Sequence, residues 1–222
     1  MKTNGLCLAA LATLALAGCG SKQDVSEKNF AAAIGQYLDQ KGELCLGLNK
    51  WPVELTTMDL QMAKTITTGT AGQMAALEAV GLAAGADAEV DQIGFMSNQP
   101  TGQKLKVKRY TLTAEGKKFY REKEAEQIGL NGSKKIMQGD LCYGKKALAN
   151  IVKWEGPMKL GDYQEANVKY LYKIDDLADW AKKPEFLAGF PYVGPIIEGA
   201  NSKEQSHGVK LTSEGWEAKG LN

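Results

Sequence analysis

Val107-Lys108-Arg109-Tyr110-Thr111-Leu112-Thr113-Ala114-Glu115-Gly116 turns from strand to helix within ten residues. From Lys104 to Thr111, Lys104, Lys106, Lys108 and Arg109 intersperse with Leu105, Val107 and Tyr110, the pattern of a half-buried strand with a solvated basic face. It reads as the return arm of a hairpin whose tip lies near Asn98-Gln99-Pro100-Thr101-Gly102. Leu112 then closes the strand into a core, and Thr113 caps a helix predicted to run from Ala114 through Phe119 toward Glu126. Glu115 lies near the positive end of that helix, and Gly116 leaves room for a close neighbour.

The same stretch recurs. Val209-Lys210-Leu211-Thr212-Ser213-Glu214-Gly215 repeats the Leu-Thr-x-Glu-Gly core 99 residues later, and predicts a second capped helix from Thr212 through Ala218. Leu44-Cys45-Leu46-Gly47 matches Leu141-Cys142-Tyr143-Gly144 at a displacement of 97. Lys50-Trp51-Pro52 has a looser echo in Lys153-Trp154-Glu155-Gly156-Pro157. Three elements in one order at near-constant spacing predict an internal duplication, with an α+β fold of two related halves, 26–131 and 132–222. Within the first half, Leu77-Glu78-Ala79-Val80-Gly81-Leu82, the hairpin and Leu-Thr-x-Glu-Gly together resemble winged-helix domains of the MarR and PadR kind. About 45 residues of the first half carry that likeness and about 30 of the second. The resemblance implies two winged-helix-like halves and no recognition function, because the N-terminal sequence points away from any chromosome.

The remaining elements follow from periodicity. Ser26 caps a helix with Phe30, Ile34, Tyr37 and Leu38 on one face and a stop at Gly42. Leu44–Leu48 and Trp51–Leu55 read as short strands, 58–68 is ambiguous, and Gln73–Leu82 reads as a helix. A loop is expected from Ala83 to Asp91, and a junction between the halves from Gly129 to Gly132. Gly139–Gly144, Ile151–Trp154 and Asn167–Ile174 read as separate strands, with Val209–Leu211 a later one. Asp175 and Asp176 are expected to begin a helix through Trp180, and Glu185–Phe190 a further helical turn.

The first nineteen residues give an address. Lys2 precedes an apolar run from Leu6 to Leu16, of the length of a secretory signal and too short to span a bilayer. Leu16-Ala17-Gly18-Cys19 follows, and resembles the bacterial lipobox. That resemblance implies that residues 1–18 are a signal peptide and that Cys19 carries acyl chains such as palmitate. It also implies that 19–25 form a tether. Gly20, where aspartate would retain a lipoprotein in the inner membrane, implies the periplasmic face of the outer membrane. Cys45 and Cys142 then remain in a compartment that permits disulfides; they either pair, closing a loop of about a hundred residues, or stand as separate buried thiols.

Composition excludes more than it assigns. The net charge of +1 gives no field for nucleic acid, and Arg109 and Arg121 are the only arginines. His207, the single histidine, sits in a polar segment that predicts an exposed loop, with no nucleophile at a triad spacing. Asp175, Asp176 and Asp179 are the one tight acidic cluster, and helix capping accounts for them. Catalytic, cofactor and metal sites are therefore assigned to no residue. Trp51, Trp154, Trp180 and Tyr192 are candidates for an aromatic ligand cleft between the halves. Gly189–Pro195 is either an interaction loop or a buried connection. The expectation is a membrane-anchored, non-enzymatic binding or scaffolding protein with an envelope protein or peptidoglycan as partner. The alternatives are an enzyme with dispersed carboxylates and hydroxyls, or a purely structural lipoprotein.

Overall fold

The computed structural model describes residues 21–94, 99–129 and 132–221. The signal segment, Cys19 and part of the first hairpin tip (95–98) lie outside them. In chain order the elements are helix α1 (Glu27–Lys41), strands β1 (Glu43–Cys45) and β2 (Val53–Thr56), and helices α2 (Thr57–Met62) and α3 (Thr70–Ala79). Strands β3 (Ala83–Ile93) and β4 (Pro100–Leu112), helix α4 (Ala114–Phe119) and strands β5 (Tyr120–Gly129), β6 (Gly132–Leu160) and β7 (Tyr163–Asp175) follow. A 3-10 turn (Asp179–Lys182), helices α5 (Pro184–Gly189) and α6 (Val193–Glu198), and strands β8 (Gln205–Thr212) and β9 (Gly215–Ala218) complete the fold. It is α+β, with antiparallel sheets in the orders β1-β6-β7-β8-β9, where β5 also pairs with β6, and β2-β4-β3.

Two apolar cores hold these layers. In one, α1 lies across the large sheet, and Phe30, Ile34 and Leu38 bury against Val168, Tyr170, Val209 and Trp216. Phe30 sits between two indoles, its ring centroid 5.3 Å from Trp154 and 5.0 Å from Trp216. The other core joins Leu55, Met74, Leu77, Leu82 and Tyr110 of the small sheet and its helices to Leu141, Tyr143, Trp180, Phe186 and Phe190. Strand β6 runs through both, and its register shifts near Ala149, Val152 and Pro157 bend 29 residues from one core to the other.

Several expectations change. The Ala83–Asp91 stretch is a strand, because β4 offers it a paired edge from Ala83↔Leu112 to Asp91↔Lys104 that outweighs its poor intrinsic β propensity. The helix after Thr113 ends at Phe119, and Tyr120–Gly129 instead pairs residue by residue with β6. Gly129 and Gly132 face each other at the tip of that hairpin. Gly139–Gly144 and Ile151–Trp154 belong to the one strand β6.

Asp175 ends β7 and Asp176 takes a left-handed φ of 53°, so the next helical turn waits until Asp179. Thr212 caps no helix: β8 turns at Ser213-Glu214 into β9, with Thr212 paired to Gly215. The 58–68 stretch holds α2, closed by a capping box between Thr56 and Asp59. That box holds the Asp59 carboxyl below its ordinary value, first through the Thr56 hydroxyl and then through the Thr56 N–H.

Candidate functional site

Cys45 and Cys142 face each other across the β1–β6 pair, and their sulfurs are bonded. Around them the chain is held by Asp140. Its carboxylate accepts the N–H groups of Gly47 (2.7 Å), Leu48 (3.0 Å) and Leu141 (2.8 Å), so one side chain fixes the loop that leaves β1. Tyr192 latches the same loop from the other side: its ring edge is exposed, while its hydroxyl donates to the Leu46 carbonyl at 2.8 Å. Burial, with the nearby Asp140 charge, pushes the Tyr192 phenol up to about 12, so it stays a donor at any physiological pH. The Gly189–Pro195 stretch is thus a buried connection, with Phe190 and Val193 fully enclosed. Glu43 brings a carboxylate within 4.8 Å of both sulfurs, but sulfurs bonded to each other have no thiolate to give a metal.

The four aromatic candidates do not meet. Trp51 and Trp180 belong to the small-sheet core, where Trp180 stacks edge-on with Phe119 (5.4 Å) and Phe186 (4.9 Å). Trp154 packs in the other core against Phe30. Tyr192 is the loop latch. Burial within two separate cores leaves no shared aromatic cleft among them. The indole N–H groups of Trp51 and Trp180 are buried without an acceptor among the described residues.

His207 is not in a loop. It lies on β8, stacked on Tyr37 at 3.9 Å, with Nε2 2.9 Å from the Lys219 carbonyl. A carbonyl only accepts, so Nε2 carries the proton and holds the end of β9 against β8. Asp175 and Asp179 pair with Lys173 and Lys182, each at 2.8 Å.

The recess best formed to take a ligand was not legible in the sequence. It is a groove of about 540 Å³ between α2 and the small sheet, with Leu55, Leu60 and Val107 as its floor and Asp87, Glu89, Lys106 and Lys108 at its rim. The basic strand of the hairpin supplies half of that rim. Its other cations are spoken for: Lys104 pairs with Asp91 (2.6 Å) and Arg109 with Glu54 (2.7 Å). Lys108 reaches Glu78 at 3.2 Å, and the Tyr110 hydroxyl and Gly85 N–H donate to the same carboxylate. Burial raises the Glu78 carboxyl, but Gly85, Lys108 and Tyr110 outweigh it and hold it below its ordinary value.

Beside the groove, α2 and the turn after it present Met58, Met62 and Ile66 outward, at four-residue spacing. Met58 is 70% exposed, which is unusual for a side chain with no polar atom beyond its thioether. Compared with known proteins, the chain matches no family model, no curated protein and no solved structure.

Proposed function

We propose that this chain is a lipid-anchored protein of the periplasmic face of the outer membrane, with a non-enzymatic binding or scaffolding role. The observation that carries the reading is Leu16-Ala17-Gly18-Cys19 directly behind an apolar run of signal length. The Cys45–Cys142 bond is consistent with an oxidising compartment. Among the described residues no helix is long and apolar enough to cross a bilayer, so attachment there would depend on the lipid. The binding surface is the groove over Leu55, Leu60 and Val107 with the adjoining Met58, Met62 and Ile66. Its apolar floor and mixed-charge rim suit an envelope protein or a peptide-bearing segment of peptidoglycan.

The duplication belongs to the same proposal. The two Leu-Cys-x-Gly segments run antiparallel and pair cysteine to cysteine, as equivalent strands beside a local twofold axis would. In the first half, the order β2-α2-α3-β3-β4, with β4 between its two partners, follows the winged-helix layout. The second half departs from it where Leu211-Thr212-Ser213-Glu214-Gly215 makes a hairpin.

Two experiments test the function. Cys19→Ser should move the protein from the membrane to the soluble fraction of lysed cells; unchanged fractionation would refute the anchor. Affinity capture from detergent-solubilised envelopes should recover a partner that Met58→Glu/Met62→Glu no longer holds. Recovery indifferent to that pair of substitutions would remove the α2 surface from the reading.

A further inference from the structure

The chain leaving the N-terminal segment is not a free tether. Trp216 Nε1 donates to the Gln23 carbonyl at 3.1 Å, and Asn29 Nδ2 donates to the carbonyls of Ser21 (2.8 Å) and Asp24 (2.9 Å). The backbone of Lys22 lies so close to Gly215 that a Cβ there would meet the Lys22 carbonyl oxygen at 3.0 Å. Residues 21–25 are therefore fastened to the β8–β9 turn and to the start of α1. Only two residues of chain separate Ser21 from Cys19, a reach of at most about 7 Å.

The same end of the large sheet carries a second feature. β7 pairs with β8 from Glu165↔Lys210, so two residues further along each strand Tyr163 comes level with Thr212. The β6–β7 hairpin tip, Leu160-Gly161-Asp162-Tyr163, therefore ends beside the β8–β9 turn that holds the arm. Gly161, at φ +58°, makes its two-residue turn. On this tip Leu160 is 82% exposed, Met158 68% and Tyr163 45%, with Leu160 paired directly to Tyr163. Val25, on the arm itself, is also exposed. Lys159, Lys22 and Lys210 flank these apolar groups, and Asp162 and Glu214 are the acidic side chains among them. A tip of that kind, apolar at its end and basic at its flanks, is chemically suited to a lipid headgroup boundary.

We propose that the β6–β7 hairpin tip is a membrane-contacting element that sinks Met158, Leu160 and Tyr163 into the leaflet holding the Cys19 acyl chains. The inference rests on the lipid-anchor reading, which sets the leaflet within reach of Ser21. With the arm fastened at one point and the tip seated at another, the large sheet stands on the bilayer by its 160–163 end. The small sheet, its groove and the α2 methionines then point away from the lipid.

The test uses full-length protein purified from membranes and reconstituted into vesicles of phosphatidylethanolamine and phosphatidylglycerol, with and without brominated acyl chains. Mass spectrometry of the N-terminal peptide reads the anchor independently. Leu160→Trp adds a fluorophore at the tip, and Leu105→Trp, on the exposed face of β4, adds one on the small sheet. Each is measured against the parent chain with its four native tryptophans. Acyl chains on Cys19 together with roughly threefold greater bromolipid quenching at position 160 than at 105 is the expected result. Equal quenching at the two positions in an acylated protein would overturn the hairpin contact while leaving the anchor standing. An unmodified Cys19 would overturn the anchor and, with it, this inference.

Discussion

Asp140 shows how much one side chain decides here. Three backbone N–H groups converge on its carboxylate, two of them from the loop after β1. Asp140→Ala strands these donors, at a cost of about 2 kcal/mol; the expected readout is a melting temperature lower by about 4–8 °C. Glu78 is a more exposed counterpart, and its worth depends on pH. Its folded value lies below the ordinary 4.5, so its contribution is present above that value and lost as pH falls through the folded one. Lys108 is raised above 10.5, first by Tyr110 and, against desolvation, by Glu78, so its share is lost only as pH rises through that folded value. The pair is partly exposed, which limits the wild-type advantage over Glu78→Gln to under about 1 kcal/mol. Melting curves of the two proteins should differ at neutral pH and converge in acid; a difference that grows in acid would contradict this account. Neither network was readable beforehand, since Asp140 lies 92 residues from Leu48 and Glu78 lies 30 from Lys108.

At the scale of elements, the same five-residue signal gives two outcomes. Thr113 accepts from the Gly116 N–H at 3.0 Å and caps α4. Thr212 instead accepts from Glu214 N–H at 3.2 Å and donates to the Gly215 carbonyl at 2.9 Å. Their glycines explain the divergence. Gly116 is helical and packs where a Cβ would lie 2.0 Å from the Leu82 carbonyl, whereas Gly215 has φ +123° and starts a strand. Thr113→Ala should cost about 1 kcal/mol, as an N-cap does, while Thr212→Ala should leave helix content by circular dichroism unchanged.

Elements with strong periodicity were legible: α1 with its Ser26 cap, β4, β7 and the start of α4. Those set by a partner strand were not. Ala83–Asp91 is built of small and acidic residues, and Tyr120-Arg121-Glu122-Lys123-Glu124 carries helix-favouring charges, yet both become strands because a long neighbour offers every backbone group a partner. The helix α1 makes its own prediction: Phe30→Ala empties the space between Trp154 and Trp216. It should destabilise the protein by about 3–5 kcal/mol and collapse the near-ultraviolet dichroism of those indoles.

At the scale of the molecule, the two cores share β6, and the Cys45–Cys142 bond sits on that strand where the small-sheet core begins. Replacing both cysteines by serine removes a crosslink spanning 97 residues, worth ~4–5 kcal/mol in the chain-entropy model. Urea titration of the double variant should show a lower midpoint with a slope close to the parent's. The groove between α2 and the small sheet was invisible in the sequence for a related reason. Leu55, Asp87 and Val107 come from three strands and become neighbours only once β4 lies between β2 and β3. The crosslink also draws a closed covalent ring from Cys45 to Cys142, and that ring contains the whole small sheet, its groove and the α2 methionines. A protease that nicks any loop inside it, for instance the segment between α2 and α3, opens the ring but releases no fragment. Two bands would appear on a reducing gel and one on a non-reducing gel, and a nicked molecule would keep its partner-facing surface joined to its N-terminal segment.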